Sequence, residues 1–199
     1  LDQRLIPLLP QHPDLTIVHG DALEVDFGQL VAAAAHTRPL TFVANLPYYI
    51  TSAAIRRMLE CGVPTKSIVI MVQLEVAQRM VAEPGDMSLL AVSVQFYGKP
   101  ELLFRVPPSA FKPQPSVDSA VIRITPHAHT PTLDPSAFFS VVKAGFCQPR
   151  KQLRNTLASG LKRDKAEVDA WLTRASIEPS RRAETLSLDE WAALCATQT

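Results

Sequence analysis

Apolar residues recur along the chain in short blocks whose spacing switches between the two-residue period of a strand and the 3.6-residue period of a helix. Residues 5–9 carry a short helical pattern that stops at Pro10, and residues 14–19 read as a buried strand of mostly β-branched residues, closed by Gly20 and Asp21. An Ala-rich helix over 29–36 follows. An apolar strand over 39–44 then runs into Asn45, Leu46, Pro47 and Tyr48. Thr51 or Ser52 is suited to cap a helix over 53–60, and Gly62 to stop it. Residues 66–73 predict another strand, and 75–81 a helix ended by Pro84 and Gly85. Residues 89–97 and 101–106, with only Gly98, Lys99 and Pro100 between them, predict an antiparallel pair at a sheet edge, and 120–124 one more strand. Strands alternating with helices imply βαβ units, hence an α/β fold with a parallel sheet covered on both faces.

After Thr125 the pattern changes. Residues 126–131 form a linker of Pro and His, and beyond it 136–146, 151–161, 165–175 and 187–196 all carry helical periodicity with good starts and stops. The expected organisation is therefore an α/β domain over 1–125 and a small all-α domain over 132–199. The four helices share no repeated signature, which excludes a solenoid.

Composition narrows the function classes. Twenty basic against 19 acidic residues exclude a surface that grips polyanions everywhere, so a nucleic-acid site has to be a local patch. Cys61, Cys147 and Cys195 are far apart and form no C-x-x-C pair, so neither a disulfide framework nor a zinc site is encoded, and a reducing cytoplasm is the expected location. His127 and His129 lack a Cys or acidic partner at metal-ligand spacing and are expected to face solvent, with no metal site. No stretch approaches the roughly 18 apolar residues of a membrane span. The opening residues read as a strand end running straight into a helix, so an upstream segment is expected.

Candidate chemistry concentrates in four places. Asn45-Leu46-Pro47-Tyr48 stands at the carboxyl end of an apolar strand, where open α/β sheets bind ligands. An adenine N6 is a poor nucleophile, because its lone pair is delocalised into the ring. The Asn45 oxygen and the Leu46 carbonyl can each accept one N6–H while Pro47 stiffens the backbone and Tyr48 stacks on the base. A plain strand-terminal turn is the competing reading. Asp21, with Ala22 beside it, can accept the amino group of an adenosyl cofactor or simply cap a turn. Pro107, Pro108, Pro113 and Pro115 stiffen a loop that either holds Phe111 out for an extruded base or plugs it into the core. Arg150, Lys151 and Arg154 open the helical part, Arg150 and Arg154 at a spacing that shares a helical face, and Arg181 and Arg182 extend a patch that either meets phosphates or is merely solvated.

Taken in order, Gly20 to Leu23, Asn45 to Thr51, Gln73 to Met80, Pro107 to Val121 and Phe146 to Leu157 resemble the ribosomal RNA adenine dimethyltransferase family over nearly the whole chain. The resemblance implies a Rossmann-like class I methyltransferase domain with a small all-α RNA-binding domain behind it. It also implies S-adenosylmethionine as cofactor and two methyl groups moved onto N6 of each target adenosine. Val117-Asp118-Ser119-Ala120-Val121 and the 148–157 segment look closer to the bacterial housekeeping branch. Its substrate is a pair of adjacent adenosines in the 3′-terminal hairpin of small-subunit (16S) RNA, with an assembling 30S particle as partner and a monomer as the acting form. Two departures stand out. The family's glycine-rich cofactor loop and ribose-binding acid should lie upstream of Leu1, which leaves residues 1–199 with half a cofactor pocket. Residues 83–89 also form a shorter loop than usual, without a Tyr-Gly pair. Two rival readings are a DNA N6-adenine methyltransferase and a non-catalytic RNA-binding assembly or transcription factor on the same fold.

Overall fold

The computed structural model describes residues 3–35, 37–128 and 133–198. The expected strand end at Leu1 and Asp2, the last residue of the Ala-rich helix, His36, linker residues 129–131 with His129, and residue 132 lie outside them.

A 3-10 turn, Gln3–Leu8, opens the described chain. Asp26 then accepts the Gln29 N–H at 3.0 Å and starts α1, Phe27–Ala33. The remaining elements are β1 (Leu40–Asn45), α2 (Thr51–Glu60), β2 (Thr65–Gln73), α3 (Leu74–Met80), α4 (Leu89–Tyr97), β3 (Gly98–Val106), β4 (Ser119–Pro126), α5 (Pro135–Gly145), α6 (Leu153–Leu161), α7 (Lys165–Arg174) and α8 (Leu188–Ala196). The four strands form one sheet in the order β1-β2-β4-β3. β1 and β2 run parallel, and β4 is antiparallel to both of its neighbours, so the sheet is mixed rather than wholly parallel.

Three expectations need correcting. Residues 89–97 form helix α4 and not a strand, with Ser88 accepting the Ala91 N–H at 3.2 Å to cap it. The polar residues Ser93 and Gln95 alternate with Val92, Val94 and Phe96 and share no helical face, so the run has no helical period to read, and the cause is burial from two directions: Val94 belongs to the sheet core while Ala91, Val92 and Phe96 belong to the helical core. Consequently β3 pairs with β4, not with 89–97. Residues 14–19 form no strand. An extended segment needs a ladder partner, and among the described residues no strand pairs with the outer edge of β1 or with this segment. Finally, α2 has no side-chain cap from Thr51 or Ser52. It grows directly out of a 3-10 turn, Tyr48–Ile50, and the Thr51 hydroxyl donates backward to the Pro47 carbonyl at 3.4 Å.

Buried side chains gather in two clusters. Ile68, Ile70 and Val72 of β2 meet Ile122 and Ile124 of β4 under α2 and α3. Phe138, Val141 and Val142 of α5, Leu153 and Leu157 of α6, Trp171 of α7 and Trp191 of α8 form the second, joined by Met87 and by Ala91, Val92 and Phe96 of α4. Phe96 and Phe138 stack with centroids 4.4 Å apart. The helical core is thus not built from residues beyond the linker alone. Capping explains the legible boundaries: Asp134, Asp164 and Ser187 open α5, α7 and α8, and Ser187 with Glu190 forms a capping box. No helix among the described residues is long and apolar enough to cross a membrane.

Two consequences for stability follow. Alanine at Gly160 would gain about 1 kcal/mol of helix propensity, but its Cβ falls 2.7 Å from Ala144 Cβ and 2.8 Å from Ala144 Cα, where α5 backbone cannot swing aside. Overpacking costs about 1–3 kcal/mol, so Gly160→Ala should lower the urea midpoint, and a raised midpoint would show that α5 and α6 separate freely. Separately, the Arg181 guanidinium hydrogen-bonds Glu190 and holds its carboxyl below the usual carboxylate range. A depressed folded-state pKa stabilises above the unfolded value, near 4.3, and that contribution disappears as pH falls through the folded one. Glu190→Gln should therefore weaken the protein at pH 7 and lose its effect in acid; an equal deficit at both pH values would sink this account.

Candidate active site

β1 carries Asn45 to the carboxyl end of the sheet, where it is exposed and its side chain makes no hydrogen bond among the described residues. The chain then turns at once. The Pro47 carbonyl accepts the Ile50 N–H at 3.1 Å and the Thr51 hydroxyl at 3.4 Å, and the Tyr48 carbonyl accepts the Thr51 N–H. These turn bonds draw on the carbonyls of residues 47 and 48 and not on that of Leu46, whose side chain is packed against the sheet core. An amide oxygen on Asn45 and a backbone oxygen on Leu46 therefore flank the start of the turn, and both are hydrogen-bond acceptors of the kind an amino group requires.

Tyr48 and Tyr49 are adjacent but held differently. The Tyr48 hydroxyl lies 2.8 Å from Ser119 Oγ, and Ser119 is wholly buried at the first position of β4. Tyr49 is 88% exposed. Ser119 is in register with Gln73 of β2 and with Val106 of β3, so the loop of residues 107–118 leaves and re-enters the sheet at the same end as Asn45. Within that loop a 3-10 turn, Pro108–Ala110, ends on Phe111, whose N–H donates to the Pro108 carbonyl at 3.1 Å and whose side chain is half-buried. Topology thus brings Asn45, Leu46, Pro47, Tyr48 and the Phe111 loop to one end of the sheet.

Asp21 is a turn residue in this fold: its Oδ1 accepts the Leu23 N–H at 2.8 Å, and its carbonyl accepts the N–H groups of Glu24 and Val25. The turn is docked on α2, because Arg57 donates to the Val25 carbonyl at 2.6 Å and lies over the Phe27 ring. A carboxylate offers about four acceptor positions, so one turn bond does not use up Asp21. With Ala22 exposed beside it, this acceptor set suits an adenosyl amino group as donor.

The basic residues form a separate group. Arg150 and Lys151 are exposed in the turn between α5 and α6 and pair with no acid among the described residues. Because α6 begins at Leu153, Arg150 does not share a helical face with Arg154, contrary to the spacing argument. Arg154 is bonded to Asp169 of α7 at 2.8 Å. The N–H groups of Leu153 and Arg154 donate to the carbonyls of Arg181 and Pro179, so the start of α6 is capped by the chain itself. Arg181 is held by Glu190, and Arg182 stands 3.8 Å from Glu184. His127 is exposed as expected, although its Nε2 is 2.8 Å from the Gln95 carbonyl at the end of α4.

Sequence reasoning assigned no role to Ser119. Its only signal was its place in Val117-Asp118-Ser119 directly ahead of a strand, the kind of position where a small polar residue at a sheet end meets a ligand-binding crevice.

Comparison with known proteins agrees with this geometry. The family model described as ribosomal RNA adenine dimethylase matches residues 1–197. The ribosomal RNA small subunit methyltransferase A of Dehalococcoides mccartyi is 45% identical over 205 residues, covering 100% of this chain and 69% of the relative. The protein of the same name from Alkaliphilus metalliredigens is 41% identical, covering 98% of this chain and 71% of its own length. Among solved structures, the 23S rRNA methyltransferase ErmE aligns with a TM-score of 0.67 at 26% identity, over 98% of this chain and 75% of that one. A dimethyladenosine transferase from Plasmodium falciparum shares the fold with a TM-score of 0.77 at 22% identity, over 96% of this chain and 74% of its own. The sheet with its flanking helices is thus the Rossmann-like part of an rRNA methyltransferase fold, followed by an all-α part, and the chain belongs to the ribosomal RNA adenine dimethylase family.

Proposed function

We propose that this chain is the greater part of an enzyme that uses S-adenosylmethionine to dimethylate N6 of two adjacent adenosines in the 3′-terminal hairpin of small-subunit ribosomal RNA, within an assembling 30S particle. The observation that carries the reading is the pair of acceptors, Asn45 Oδ1 and the Leu46 carbonyl, set at a sheet end beside an anchored aromatic ring. Small-subunit RNA is favoured over large-subunit RNA because the relatives at 41–45% identity carry the small-subunit name, whereas ErmE stands at 26%. The protein acts in the cytoplasm as a monomer. Residues 1–125 carry the chemistry, and residues 132–199 carry the RNA contacts.

S-adenosylmethionine supplies an electrophilic methyl on a sulfonium. Asp21 and Ala22 would hold its adenosyl end, with Asn45 near the reacting group. The target base leaves its stack, and Tyr48 and Phe111 hold its faces. In the first transfer Asn45 and Leu46 each accept one N6–H, and in the second the single remaining N6–H is accepted by one of them, which turns the nitrogen lone pair out of conjugation and aims it along the line of displacement. Once alkylated, the nitrogen sheds its proton to solvent, so no strong general base is required. Arg150 and Lys151 meet backbone phosphates, and the self-capped start of α6 leaves that contact to side chains.

The primary test is transfer of labelled methyl from S-adenosylmethionine to small subunits isolated from cells lacking the modification. Label in N6,N6-dimethyladenosine near the 3′ end is the expected result. RNA binding without any label, by a protein that also binds the cofactor, would overturn the reading in favour of a non-catalytic assembly factor. Asn45→Ala should lower kcat by about 10²-fold while leaving particle affinity within about two-fold; parallel losses would remove Asn45 from the chemistry. Replacing Arg150 and Lys151 with Ala should leave the rate at saturation intact, weaken particle binding and reduce the salt slope of log K by about 1.5–2. An unchanged slope would exclude phosphate contacts at these positions.

A further inference from the structure

We infer that Ser119 is a positioning residue for methyl transfer, acting solely through the Tyr48 hydroxyl to fix the plane of the base-stacking ring; the inference rests on the proposed function. A tyrosine at the start of a turn has two side-chain torsions to settle: χ1 chooses among three staggered wells and χ2 is broad, so a further contact is needed to fix the plane of the ring. Tyr48 is 37% exposed, so one part of the ring is open to solvent while the hydroxyl points inward. There it meets Ser119 Oγ at 2.8 Å, a group 71 residues away in sequence with no exposed surface of its own. The anchor is stiff because of where it sits. Ser119 is paired on both sides, with Gln73 of β2 and Val106 of β3, and the neighbouring Asp118 carbonyl accepts the Leu74 N–H at 2.9 Å. Since β2 lies between β1 and β4, the Tyr48–Ser119 bond bridges the end of β2 and ties the motif after β1 to the strand beyond it.

The asymmetry of the pair assigns the roles. Ser119 Oγ is buried and held on both sides by the sheet, whereas Tyr48 belongs to a partly exposed turn, so the serine is the fixed end of the bond and the ring the movable one. Removing the Ser119 hydroxyl therefore releases the ring. Tyr49, one residue on and 88% exposed, lacks such an anchor, which is the physical reason that Tyr48 rather than Tyr49 serves as the platform. The hydroxyl takes no part in the chemistry. Its effect is to keep the stacked base from tilting, so that N6 stays aligned with Asn45 and Leu46.

The test uses two readouts. The chain has 3 tyrosines, so 3-fluorotyrosine labelling gives three fluorine resonances, and Tyr48→Phe identifies the one that disappears. Ser119→Ala should move the Tyr48 resonance and leave those of Tyr49 and Tyr97 in place, which also shows that the fold is intact; an unmoved Tyr48 resonance overturns the anchor without reference to activity. In the methyl-transfer assay, with protein active on small subunits, Tyr48→Phe and Ser119→Ala should each lower kcat about ten-fold with KM for the particle within about two-fold. The double variant should be no slower than either. Losses that multiply, or a loss for Tyr48→Phe with none for Ser119→Ala, overturn the inference, the latter by showing that the hydroxyl touches substrate directly. No methyl transfer by the parent protein, with the Tyr48 resonance still moved by Ser119→Ala, would reject the proposed function and leave the anchor standing.

Discussion

The register between β2 and β4 is the constraint on which the site depends. Ile68, Ile70 and Val72 face Ile124, Ile122 and Ala120 across the ladder, and all of them are fully or almost fully buried. A slip of one residue would turn this whole set of side chains onto the opposite face of the sheet, so apolar burial fixes the pairing. Everything at the sheet end then has a fixed height. Gln73 and Ser119 stand level, the loop of 107–118 closes back at Val106, and the Tyr48 hydroxyl finds its partner. The arrangement at the sheet end is a by-product of how aliphatic side chains pack several residues away from it.

Local signals were legible wherever one element faced one core. β1, β2 and β4 alternate or run apolar over strand lengths, and α5, α7 and α8 announce themselves through Asp134, Asp164 and Ser187 at their first turns. Residues 89–97 failed for a tertiary reason, since a helix packed between two cores has no polar face to betray its period. Residues 14–19 failed for the opposite reason. Their composition suits a strand, yet strand formation is a property of a pair.

The site followed the same division. Asn45, Leu46, Pro47 and Tyr48 stood out as candidates because the chemistry proposed for them is contained in consecutive residues. Ser119 did not, because its meaning lies in a partner 71 positions away. Arg154 differs from Arg150 and Lys151 in that Asp169, on the next helix, pairs with its guanidinium, a contact that spacing along the chain does not announce. Spacing treats residues 150–154 as helix, but the backbone turns into α6 only at Leu153, and the carbonyls of 179 and 181 decide where that turn occurs.

Helix α4 has a broader consequence. It precedes β3 and β4 in the chain, yet it supplies Met87's neighbours Ala91, Val92 and Phe96 to the helical core and Val94 to the sheet core. No single cut in the polypeptide divides the two cores cleanly, since a cut at the linker strands α4 on the wrong side and a cut before α4 removes two strands. Lineages diverging from a common ancestor could therefore lengthen, trim or re-charge the terminal helices at their surfaces, but could not trade them as a detachable cassette.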